Sequence, residues 1–138
     1  MDRMLFIFYI KIKHMEKINH NSGQIQIIAP HYSVYLYTHD YAKTLVGIVH
    51  DILSKKKRWD DPDYLARMLF CAMIPPKDWD SETGFGIGTQ YYADTNLLIV
   101  IDLTENFISI SSFGSGVDNV KMDMDDFVLN FYNSAELE

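Results

Sequence analysis

The sequence predicts an α+β domain: a mostly antiparallel sheet of about five strands, two central helices and a short C-terminal helix. Period-two apolar segments lie on both sides of two back-to-back stretches with helical apolar spacing, and turn-forming residues separate them. At 138 residues with 48% apolar and 14% aromatic residues, the chain fits one ordinary domain that can bury a core. The expected division is an N-terminal extension over residues 1–22, readable as an extra edge strand, and a single domain over residues 23–138.

Leu5-Phe6-Ile7-Phe8-Tyr9-Ile10 is too short for a membrane span and no small-residue cleavage site follows it. Met1 and Met15 both stay open as the native translation start. Gln24–Ile27 alternates with period two, Ser33–Tyr37 is rich in aromatic and β-branched residues, and Pro30 between them marks a hairpin. From Tyr41 to Ser54 the residues Leu45, Ile48, Val49, Ile52 and Leu53 recur at helical spacing, and Lys55-Lys56-Lys57-Arg58 suits the C-terminal dipole of that helix.

A second helix is expected over about Pro62–Met73, burying Leu65, Met68, Leu69 and Ala72. Asp60 or Asp61 caps it, because a carboxylate accepts the orphan N–H groups of the first turn, where Pro62 has none to lose. Pro75-Pro76 ends it. Strands are then expected over Gly84–Gln90, Leu97–Leu103 and Phe107–Ser111, with a tight turn at Thr104-Glu105-Asn106. Gly114-Ser115-Gly116 breaks the pattern, and Asp125–Tyr132 reads as the C-terminal helix.

Charge and cysteine usage narrow the partners. The net charge is −7, but residues 1–76 hold 10 basic and 7 acidic side chains, whereas residues 77–138 hold 2 basic and 12 acidic. The acidic half repels phosphate backbones, which argues against general nucleic-acid binding, and it attracts basic protein surfaces through a face that includes Asp123, Asp125 and Asp126. The single cysteine, Cys71, permits no intrachain disulfide and reads as a small buried hydrophobe of a protein from a reducing compartment. His14, His20, His31 and His50 have no metal-ligand spacing, so neither a metal nor a cofactor is expected.

The densest chemistry lies in Arg58-Trp59-Asp60-Asp61-Pro62-Asp63-Tyr64-Leu65-Ala66-Arg67 and in Glu82-Thr83-Gly84-Phe85-Gly86-Ile87. Asp60, Tyr64 and Arg67 fall at helical spacing, so they form either an intrahelical ion-pair network with Asp63 or a site in which an arginine is free to fork onto an anion. The glycine block lacks the following helix and the Lys-Ser/Thr pair of a phosphate loop. Gly84 and Gly86 suit bulges, close packing or the wall of a ligand cleft. Trp59 and Trp79 bracket the second helix as core or rim anchors. His39 ends a strand, where it is a candidate acid–base group together with Glu82.

Val34-Tyr35-Leu36-Tyr37-Thr38-His39 and these two blocks together resemble a family of small proteins encoded by bacteriophages and prophages, over residues 33–103. In that family the strand-end histidine, the Arg-Trp-Asp-Asp-Pro-x-Tyr block with its later arginine and the Glu-Thr-Gly-x-Gly block recur together, without an established activity. The resemblance implies a phage origin, the cytoplasm of a bacterial host and a shared site. Two functions follow as expectations. The first is a non-enzymatic inhibitor or sequestrant of a host component, plausible in counter-defence, holding a host protein or small anionic ligand through Arg58, Trp59, Asp61, Tyr64, Arg67, Gly84 and Gly86. The alternative is a small hydrolase or nuclease acting on a nucleotide, with His39 or Glu82 as acid–base group. A virion component and a homo-oligomer stay open.

Overall fold

A computed structural model describes residues 22–113 and 118–131. The elements are β1 (Gly23–Ile28), β2 (Ser33–Thr38), α1 (Leu45–Ser54), α2 (Pro62–Met73), β3 (Phe85–Gly88), β4 (Leu97–Asp102), β5 (Phe107–Ser112), β6 (Asp118–Asp123) and α3 (Met124–Asp126), which continues as a π turn over Phe127–Phe131. The strands form one sheet in the order β3-β2-β1-β4-β5-β6. Four pairings are antiparallel and β1 runs parallel to β4.

Two expectations are corrected. The sheet has six strands rather than five, because Asp118–Asp123 pairs with β5. That segment carries only Val120 and Met122 as core-facing residues between acidic ends, so it reads as a linker until β5 supplies its partner. The sheet is also mixed, since β4 joins the sheet beside β1 on the side away from β2. The expected extension at residues 1–21 lies outside the described residues, as does Tyr132. Ser22 belongs to the domain, since its hydroxyl accepts from the N–H of Asn96 at 3.2 Å and its carbonyl accepts from the N–H of Leu97.

Side chains alternate between the two faces of the sheet. Ile25, Ile27, Leu36, Ile99, Ile101, Ile108 and Ile110 are buried on the face that the helices cover. α1 contributes Leu45, Val46, Val49, Ile52 and Leu53 to the core, and α2 contributes Leu65, Leu69 and Met73. Met73 stands where Ala72 was expected, and Ala72 is exposed, because the buried stripe of α2 runs at i, i+4 and i+8. Phe127, fully buried, packs edge-on to His50, whose Nε2 lies 3.0 Å from the carbonyl of Val128. Burying a phenylalanine contributes about 1.5–3 kcal/mol, so this contact anchors the C-terminal turn on α1.

Local chemistry ends the elements as expected in two places. Asp61 caps α2 by accepting from the N–H of Tyr64, with Pro62 in the first turn. Asp102 closes the β4–β5 turn: its Oδ1 accepts from the hydroxyl and N–H of Thr104 and from the N–H of Glu105, at 2.6, 2.9 and 3.0 Å. Burial raises the pKa of this carboxyl, but those hydrogen bonds and the charge of Lys121 outweigh it and hold it below the usual carboxylate range.

Gly23 sets how closely the first helical region approaches the sheet. A Cβ on Gly23 would lie 2.8 Å from Cδ1 of Leu45 and 3.0 Å from Cβ of Ala42. Leu45 can turn aside, but Ala42 can yield only by moving backbone. Gly23→Ala is expected to lower stability by about 1–3 kcal/mol in urea unfolding. Because the folded-state pKa of Asp102 is depressed, its contribution is full above the unfolded value near 4 and is lost as pH falls through the folded value. Wild type should exceed Asp102→Asn by about 1 kcal/mol at pH 7, and the gap should close as the pH falls below about 4.

Candidate functional site

The register assigns every residue of β3 to a face. Ile87 stands opposite Leu36 and so lies on the helix-covered face, while Gly86 and Gly88 stand opposite Tyr37 and Tyr35 on the other. α2 packs over β2 and β1. Ile87, on the strand beyond them, is 60% exposed although it points to the helix side. Between α2 and the end of the sheet lies an apolar cleft of about 530 Å³, lined by residues that include Tyr32, Val34, Ala66, Arg67, Phe70, Cys71 and Ile87.

One stripe of α2 makes this wall. Asp63, Ala66, Arg67 and Phe70 follow at i, i+3, i+4 and i+7, beside the buried stripe of Leu65, Leu69 and Met73. Cys71 therefore lines the cleft and is exposed, which corrects the expectation of a buried hydrophobe. The sequence signal for this wall is the spacing of Ala66 and Phe70 around Arg67.

The cations of the motif divide. Arg58 has a positive φ of 66° and its Cζ lies 4.6 Å from the ring centre of Tyr64, with Asp61 Oδ2 4.0 Å from its Nη1. Its guanidinium is thus occupied by a cation–π contact and an ion pair within the turn and first helical turn. Asp63 makes no ion pair with Arg67 among the described residues; its Oδ1 accepts from the hydroxyl of Tyr32 at 2.6 Å. The same bond raises the pKa of Tyr32, with Asp61 adding to the effect. Asp60 precedes the helix, so it is not on the stripe that the spacing suggested. Among the described residues Arg67 has neither a hydrogen bond nor an ion pair. Its side chain is shared by the cleft and a smaller hollow of about 140 Å³ with Asp63 and Tyr64.

The other expected site residues lie elsewhere. Trp59 packs against the core, and its buried indole N–H has no hydrogen-bond partner among the described residues. Trp79 is 66% exposed and donates to the carbonyl of Ile74. α2 begins beside Tyr32, at the start of β2, whereas His39 and Gly84 meet at the end of β2, where the N–H of His39 donates to the carbonyl of Gly84 at 2.8 Å. A six-residue strand spans roughly 17–20 Å, so His39 and the exposed Glu82 do not join Arg58 and Tyr64 in one site.

His39 belongs instead to the uncovered face. Its Nδ1 lies 3.0 Å from the hydroxyl of Tyr37, whose ring packs at 5.3 Å on Tyr92. Burial, Asp40 and Asp94 raise the pKa of Tyr37. Gln24 fastens this region: its Nε2 donates to the carbonyl of Tyr92 at 2.8 Å and to Thr95 Oγ1 at 2.7 Å. Gly86 is on this face and so is not a wall of the cleft.

The expected acidic face has local duties as well. Asp123 accepts from the N–H of Asp125 at the start of α3, and Asp125 pairs with Lys56 at 3.4 Å. Among the described residues no group of three or more histidine, cysteine, aspartate or glutamate side chains is placed to hold a metal, and no helix is long and apolar enough to cross a membrane.

No family model, no curated protein and no solved structure matches the chain.

The two glycines should behave oppositely. Gly84 has a φ of +101°, so Gly84→Ala is expected to cost about 1 kcal/mol or more. No described atom lies within 4 Å of a Cβ on Gly86, so Gly86→Ala should leave stability unchanged or raise it by about 0.5 kcal/mol. Urea midpoints of the two variants check the contrast.

Proposed function

We propose that this protein is a non-enzymatic binding protein of phage type that inhibits or sequesters a host component, in the manner of a counter-defence factor. The α2–β3 cleft is its ligand site. The observation that carries the reading is an apolar cleft with an arginine at its wall that makes no ion pair with a described carboxylate. Such a site favours a ligand with an apolar body and an anionic group, because the body gains from burial and the anion from a charge-assisted fork.

Arg67 is the anchor in this reading, while Arg58 and Asp61 serve the turn that begins α2 and Tyr64 shapes the adjoining hollow. Trp59 supports the same turn from the core. The phage origin rests on the sequence resemblance. The hydrolase alternative has less support, since His39 and Glu82 lie away from the motif's arginines, and an acidic protein-binding face is less favoured because Asp123 and Asp125 are engaged locally.

Native mass spectrometry of the full chain purified from bacterial cells tests this. Wild type should retain a bound molecule or host protein that Arg67→Ala weakens at least about tenfold. Lys77→Ala, which removes the same charge elsewhere on the surface, should retain it. A partner held equally by Arg67→Ala, or nucleotide turnover that persists in that variant, would overturn the reading.

A further inference from the structure

The cleft lies beside a sheet edge whose backbone is unpaired among the described residues, and the two form one surface. β3 pairs only with β2 there. Along a strand the N–H and C=O of successive residues point alternately to the two sides. The carbonyl of Gly84 points toward β2, where it accepts from His39, and Gly86 and Gly88 follow it at intervals of two. The N–H and C=O of Phe85 and Ile87 therefore point outward. Ile87 thus presents its polar backbone at the sheet edge and its side chain in the cleft.

Natural sheets blunt such edges with charged residues, proline, bulges or a covering element. Phe85-Gly86-Ile87-Gly88 has no charge and no proline. An exposed isoleucine beside an apolar cleft makes the edge more adhesive still.

We propose that β3 takes an extended peptide segment of a partner protein as an added strand, with one apolar side chain in the α2–β3 cleft and an Asp or Glu two residues away on Arg67. This names the partner class of the site proposed above and rests on that reading. In an added antiparallel strand, the residue directly opposite Ile87 exchanges two backbone hydrogen bonds with it and points its side chain to the same face, into the cleft beside Phe70. The next residue on that face lies about 6.6–6.8 Å along the peptide. Arg67 supplies the complementary charge, since it lines the cleft without an ion pair among the described residues. A second copy of this chain fits less well, because two β3 edges side by side would bring together two isoleucines and provide no carboxylate in β3 for either arginine.

A display library of seven-residue peptides selected on the full chain is the probe, followed by calorimetric Kd values for synthetic versions of the enriched sequences. Enriched peptides should carry an apolar residue two positions from Asp or Glu. Arg67→Ala and Ile87→Pro should each weaken them at least about tenfold. Proline is tolerated at an edge position whose N–H faces solvent, so Ile87→Pro removes the outward donor while keeping the strand. Methylating the peptide's own backbone nitrogen opposite Ile87 reads the same pairing without altering the protein and should cost at least as much, whereas methylating the next nitrogen should not. Peptides that require Arg67 but tolerate Ile87→Pro and both methylations would overturn strand addition and leave the cleft reading standing. Peptides indifferent to Arg67→Ala would overturn both. Failure to enrich any peptide, or a concentration-dependent dimer abolished by Ile87→Pro, would overturn a partner peptide as the occupant of this edge.

Discussion

The parallel pairing of β1 with β4 governs the rest of the architecture. Parallel neighbours cannot be joined by a tight turn, so the chain between them must leave the sheet and return. Here that excursion contains β2, both long helices and β3. β2 and β3 add successively on one side of β1, and β4, β5 and β6 on the other. The helices made during the excursion cover one face, with α1 against α2 and the C-terminal turn, and α2 over β2 and β1. β3 lies one strand beyond the two on which α2 packs. The cleft is thus a consequence of topology, and Gly23 lets Ala42 and Leu45 settle directly on β1.

Around this frame the polar groups are largely committed to local tasks. Asp61, Asp102 and Asp123 each accept backbone N–H groups where an element begins or a turn closes. Gln24, fully buried, is satisfied by the Tyr92–Thr95 loop and fixes that loop over the end of β1. Buried amides require such partners, so the loop and the strand specify one another. Arg58 and Tyr64 occupy each other, and Tyr32 occupies Asp63. Arg67 is what this pattern leaves over beside apolar surface. An unpaired guanidinium beside a cleft contributes little to folding and much to selecting an anionic partner.

The two faces of the sheet differ in kind. The helix-covered face is aliphatic, whereas the other carries Tyr35 and Tyr37, joined by Tyr91, Tyr92 and His39. The glycines of β3 follow the same division, with Gly86 and Gly88 on the aromatic face and Phe85 and Ile87 on the helical one. This alternation makes β3 thin on one side and adhesive on the other.

Much of the fold was legible from local signals. The periodicities of β1, β2, β4 and β5, the apolar stripe of α1 and the Asp61-Pro62 start of α2 act within a few residues, and their physics needs no distant partner. The motif around Arg58 to Arg67 was also legible as polar chemistry without a full folding explanation. Tertiary structure decided what depends on residues far apart in the chain. Val120 and Met122 became a strand only when β5 offered a ladder, and β4 became parallel only when it paired with β1. Cys71 and Ile87 became surface because α2 packs on β2 and β1, one strand in from the β3 edge. The bond from Tyr32 to Asp63, 31 positions apart in the chain, is likewise one that no local spacing predicts.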